Sequence, residues 1–153
     1  MERLSAACTI TKKVDMYTNQ LAYASFSIAG DEVIPEFWIR YFGVKPDTAI
    51  IKGEPFITRS GRTSRVPGRT SVWGVGSEFA VQSDRLEPHL RYLIEYLGLP
   101  RTDLRDLLNK QAAGMRFFCY WANYTGDRVP DVPDDIRTMM ESLGGIIDID
   151  EYR

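Results

Sequence analysis

The sequence predicts an α+β fold: a single mixed β-sheet with helices packed on it, a relative of the ferredoxin-like folds. Three observations predict it. Strand-like and helix-like segments succeed one another in the order β-α-β-β-α-α-β-α-β. The segment from about Asp84 to Leu97 carries an unbroken apolar stripe, with Leu86, Leu90, Leu93, Ile94 and Leu97 at helical spacing. And "GMRFFCYWANY" is apolar on both faces, as a strand inside a sheet must be.

Each element has its local reason. In "LAYASFSIAG", Ala22, Ala24, Phe26 and Ile28 share one face and Tyr23, Ser25 and Ser27 the other. "DEVIPEFWIRYFGV" is a helix, with Pro35 in its first turn, Gly43 at its stop, and Ile34, Trp38 and Phe42 on one face, widened by Phe37 and Tyr41. A short strand around Ala49 to Ile51 follows, and "TSVWGVGS" makes a third. Gly98 and Pro100 end the long helix. A shorter helix from about Thr102 turns Leu104, Leu107 and Leu108 inward. "PDVPDDIRTMMESLGG" is a helix with Pro133 in its first turn, and "IIDIDEY" closes the chain as a strand. Residues 1–20 are weakly patterned and read as an arm or an extra strand before a single domain over 21–153.

The chain has 153 residues, the size of one ordinary domain. Hydrophobic residues are 44% and charged residues 26%, which places it among soluble globular proteins. No apolar run is long enough to span a bilayer, and the N-terminus lacks a signal-peptide stretch, so the expected compartment is the cytoplasm. Cys8 and Cys119 do not make a disulfide framework, and Cys119 reads as a buried free thiol. A net charge of -2 speaks against a general nucleic-acid binder. That total hides a polarity. From Asp127 onward there are eight acids against three bases, whereas "FITRSGRTSRVPGRTSVWGVGSE" carries Arg59, Arg62, Arg65 and Arg69 without a carboxylate before Glu78.

The segments "ASFSIAGDEVIPEFWIRYFGVKPDTAIIKGEP", "SVWGVGSE", "FCYWANYTG" and "LGGIIDIDEY" together resemble a bacterial family described as a domain of unknown function, number 4279 (DUF4279). The likeness runs from about Tyr23 to Tyr152. It implies a compact α+β domain, freestanding and cytoplasmic, and brings no catalytic residues, cofactor or established activity. Small α/β proteins of this kind often serve as immunity partners of toxins or as accessory proteins in phage–host conflict, an analogy at the level of class.

No catalytic constellation emerges from the residues. His89 is the only histidine, and it reads as a solvated helix residue beside the apolar stripe. One His and two distant Cys do not make a zinc site. Asp148, Asp150 and Glu151 have the alternation of an edge strand and lack a convincing third ligand for a hard cation. "GVGSE" lacks the spacing of a phosphate loop. The arginine loop has two readings: a solvated hairpin loop, or a grip on a carboxylate- or phosphate-bearing partner. In the second reading Trp73 and Tyr124 flank it as a pocket wall. The expected function is therefore non-enzymatic binding with no metal and no cofactor. The protein would occlude a protein partner, a toxin or defence protein, through the Arg59–Arg69 loop or through the acidic segment with Asp127, Asp131 and Asp134, which suits a basic partner. The alternative is a small-ligand binder that holds a nucleotide or other phosphorylated molecule through Arg59, Arg62, Arg65 and Arg69.

Overall fold

The structure is a computed structural model and describes residues 21–58 and 60–152. The arm or strand expected over residues 1–20 lies outside the described residues, as does Arg59.

Strand β1 (Ala22–Gly30) alternates between buried and half-buried positions along most of its length. The period of two in a pleated strand sends Ala22, Ala24, Phe26 and Ile28 to the core and Tyr23, Ser25 and Ser27 to the opposite face. Helix α1 (Pro35–Phe42) begins at Pro35, which has no N–H to leave unsatisfied, and stops at Gly43 in the left-handed region, φ 69°. It buries Trp38 and Phe42. Ile34 does not join that face: it precedes the helix in extended conformation, as a residue before proline prefers, and is 55% exposed.

Strands β2 (Thr48–Ile50) and β3 (Ser71–Gly76) follow, then α2 (Leu86–Leu97), α3 (Leu104–Lys110), β4 (Gly114–Ala122), α4 (Asp134–Ser142) and β5 (Ile146–Tyr152). The sheet order is β2-β3-β1-β4-β5. The first four strands are antiparallel neighbours, with β3 lying between β1 and β2. That is the split βαβ arrangement of ferredoxin-like folds, and β5 extends it. β5 runs parallel to β4, so the chain must cross over between them, and α4 makes the crossover.

The four helices among the described residues feed one core on one face of the sheet. Trp38 and Phe42 from α1, Leu86, Leu90, Leu93 and Leu97 from α2, Leu104 and Leu108 from α3, and Ile136 and Met140 from α4 meet Phe26, Ile28, Trp73, Val75, Met115, Phe117, Cys119 and Trp121. The opposite face carries Tyr23, Ser25 and Ser27 on β1, Arg116, Phe118 and Tyr120 on β4, and Asp148 and Asp150 on β5. Tyr23 stacks on Tyr120 at 5.0 Å, and Tyr120 meets Tyr152 at 4.8 Å. None of these residues belongs to the helix-covered core. Among the described residues, no helix is long and apolar enough to cross a membrane.

Candidate functional site

The arginine segment joins β2 to β3, which are neighbours in the sheet, and it is folded rather than merely solvated. Ile57 pairs with Thr63 across an antiparallel bridge. Thr58 donates its N–H to the Arg62 carbonyl at 2.7 Å, and Ser64 donates to the Phe56 carbonyl at 2.7 Å. The Ser64 hydroxyl accepts the Phe56 N–H and donates to the Val66 carbonyl, tying the two arms together. Gly61 supplies φ 85° at the tip. At the base, Gly53 donates to the Gly68 carbonyl and Gly68 to the Glu54 carbonyl. The serines, threonines and glycines that mark a loop in the sequence thus supply the bonds of a small β-hairpin.

Arg62, Arg65 and Arg69 are exposed on this hairpin. None of their guanidiniums has a carboxylate or hydrogen-bond partner among the described residues, whereas nearby Lys52 is paired with Asp31 at 2.8 Å. On the same hairpin Ile57 and Val66 are 68% and 63% exposed. Cationic forks beside aliphatic side chains, on a backbone already ordered, can grip a negatively charged surface with little entropy left to lose.

The other expected site residues lie elsewhere. Trp73 is fully buried, stacked on Phe42 at 5.0 Å between centroids, so it walls no surface pocket. Its place follows from register: it lies opposite Ile28 on the helix-covered face. Tyr124 is exposed but does not flank the hairpin. It follows β4, at the end of the sheet where Ala22 pairs with Trp121; the hairpin leaves from the end where Gly30 pairs with Ser71. The span of β1 separates these ends by roughly 26 Å at about 3.3 Å per residue.

The acidic segment sits at the Tyr124 end, and most of it is engaged within the fold. Asp131 accepts the backbone N–H groups of Leu86 and Glu87 and pairs with Arg85 at 3.4 Å. Asp135 takes both arms of Arg91, at 2.7 and 3.0 Å, and this holds its carboxyl below the ordinary carboxylate range. Asp127 accepts the Thr125 hydroxyl. Asp134 is exposed at the start of α4.

His89 corrects the expectation of a solvated residue: it is 0% exposed. Its Nε2 lies 3.0 Å from the Ser83 carbonyl, which can only accept, so Nε2 carries the proton. Nδ1 then accepts the Ser77 hydroxyl at 2.7 Å, and Ser77 Oγ accepts the Ala24 N–H. Burial holds the imidazole below its ordinary 6.5. Ser77 is equally buried, so no substrate reaches this Ser–His pair; it clamps β1, the end of β3 and α2 together. Cys119 is buried as expected, and burial pushes its thiol up to about 12, far from a reactive thiolate.

No curated protein and no solved structure matches the chain. A family model does, over residues 19–153, which is nearly the whole sequence. The chain belongs to the family described as a domain of unknown function, DUF4279.

Proposed function

We propose that this chain is a non-enzymatic binding protein that docks an acidic protein partner through its arginine hairpin and acts by occluding that partner, in the manner of an immunity or anti-defence protein. One observation carries the reading. Among the described residues, three guanidiniums stand without carboxylates on a hydrogen-bonded hairpin that also presents Ile57 and Val66 to solvent. Arginine next to exposed aliphatic surface is the composition of an interface, and complementary charge speeds encounter. The hairpin is favoured over the acidic segment because Asp131 and Asp135 already have partners in the fold.

The test is a pull-down and titration from the native host with the intact chain, beside the double variant Arg62→Glu/Arg65→Glu. Loss of a captured acidic protein by the double variant, at unchanged melting temperature, supports the reading. Capture that is indifferent to the reversal overturns it. Saturable binding of nucleotides by the intact chain, lost in the same variant, would move the assignment to a phosphorylated small molecule.

A further inference from the structure

Helix α1 sends Trp38 and Phe42 into the core and keeps a second apolar face outside it. Ile34, Phe37 and Tyr41 line a shallow depression of about 490 Å³, with Glu36 and Arg40 on its rim. Ile34 is 55% exposed, and Phe37 and Tyr41 are half-buried.

The apolar part is held in place from behind. The Ile34 N–H and the Trp38 indole N–H both donate to Gln111 Oε1, at 3.1 and 2.9 Å, which ties the start of the helix to the end of α3. Phe37 lies parallel to Tyr41 at 6.2 Å between centroids. The Tyr41 hydroxyl donates to Asp103, and the Arg101 guanidinium sits over the Tyr41 ring at 4.7 Å. Rings fixed in this way lose little freedom when another surface covers them.

The charges on the rim decide what fits. Glu36 and Arg40 stand one helical turn apart, with side chains 64% and 77% exposed, and touch at 3.6 Å. Such a solvated pair is weak and exchanges partners at little cost. A partner of one sign attracts one of the two and repels the other, whereas a second copy of the chain satisfies both. When two helices meet antiparallel across a two-fold axis, one patch faces itself, and a residue early in one helix lies opposite a residue one turn later in the other. Glu36 of each copy then meets Arg40 of the other.

We infer that the chain forms a two-fold symmetric dimer through α1, with Ile34, Phe37 and Tyr41 packed about the axis and reciprocal Glu36–Arg40 ion pairs beside them. The surface includes no residue of the arginine hairpin, so the dimer stands or falls separately from the docking proposed above.

Sedimentation equilibrium of the intact chain tests this at about 0.15 M salt, which screens long-range attraction between copies. Between about 1 µM and about 1 mM protein, the mass should rise from monomer to dimer. Glu36→Arg and, separately, Arg40→Glu each set like charges opposite one another across the axis and should weaken the dimer by about tenfold or more. An equimolar mixture of these two variants should associate again, because one chain then supplies only cations at the rim and the other only anions. Ile34→Asp should dissociate the dimer, while the dilute monomer melts no lower than the wild type, since aspartate suits the helix-cap position that Ile34 occupies. Arg62→Glu/Arg65→Glu should leave the dimer unchanged. A monomer at every concentration, a dimer indifferent to both charge reversals and to Ile34→Asp, or a mixture that fails to associate overturns the inference.

Discussion

The Asp131 carboxylate accepts the backbone N–H of Leu86 at 2.8 Å, across 45 positions of sequence, and so caps the helix that Leu86 begins. Its second oxygen accepts the next N–H, from Glu87, at 3.0 Å. Helix α2 needs this distant cap because Arg85, at its own cap position, makes no side-chain capping hydrogen bond to the free N–H groups.

Asp131→Ala should therefore lower stability by about 1–2 kcal/mol, the usual cost of losing a helix cap. Asp134→Ala removes an exposed side chain and should cost well below about 1 kcal/mol. Urea unfolding of both variants checks the difference. Equal, small losses would mean that the cap contributes nothing and would return Asp131 to the pool of residues available to a partner.

His89 sets a pH dependence with a definite sign. Its folded pKa lies below 6.5 because burial disfavours the imidazolium. Between the folded and unfolded values the unfolded chain takes up a proton that the folded chain refuses. The stability contributed by neutral His89 is thus complete above the unfolded value and is lost as pH falls through the interval below it. Melting temperatures recorded from about pH 7 down to about pH 5 should decline, and His89→Gln should flatten the decline. A wild-type profile without slope in that range would show that His89 titrates normally.

Gly68 sits where a side chain has no room. A Cβ there would lie 2.5 Å from Ile50 Cγ2 and 3.2 Å from the Ile51 carbonyl. Gly68→Ala should force β2 and the base of the hairpin apart, at about 1–3 kcal/mol for such overpacking. The amides of Gly53 and Gly68, which bond across this base, should exchange faster in the variant. Unchanged exchange would show that the hairpin base is loose in the native protein.

Leu93 is fully buried against the sheet. Leu93→Ala should cost about 2–5 kcal/mol. Strand β4 is paired on both sides, to β1 and to β5, so the amides of Phe117–Trp121 should be among the slowest to exchange. A negligible loss on truncating Leu93, or fast exchange in β4, would contradict the packing described.

Periodicity made the scaffold readable. The leucine stripe of α2, the alternation of β1 and the central place of β4 are local patterns that map onto the packing, although only one face of β4 lies under the helices. What escaped depends on partners far away in sequence. His89 follows Leu86 by three and precedes Leu93 by four, so helical geometry turns it inward, but its burial is tolerable only because Ser77 and Ser83 satisfy both ring nitrogens. The order of the arginine hairpin was hidden by composition: Ser64 looks like a solubilising loop residue until its hydroxyl is seen to bridge Phe56 and Val66. Trp73 and Tyr124 both read as a pocket wall beside the arginine loop, but only sheet register shows that one faces the core and the other stands at the far end of the sheet.

Exposed arginines of the hairpin stand at one end of the sheet and exposed Asp127, Asp134 and Asp150 at the other, a separation that a net charge of -2 conceals. A dipole exerts torque before it makes contact. In the field of a negatively charged surface the protein rotates so that Arg62, Arg65 and Arg69 lead, and a larger share of collisions starts in the productive orientation. The same separation of charge would favour head-to-tail approach of two copies at low ionic strength. That attraction fades as added salt shortens the screening length to about 10 Å or less, well below the length of the sheet.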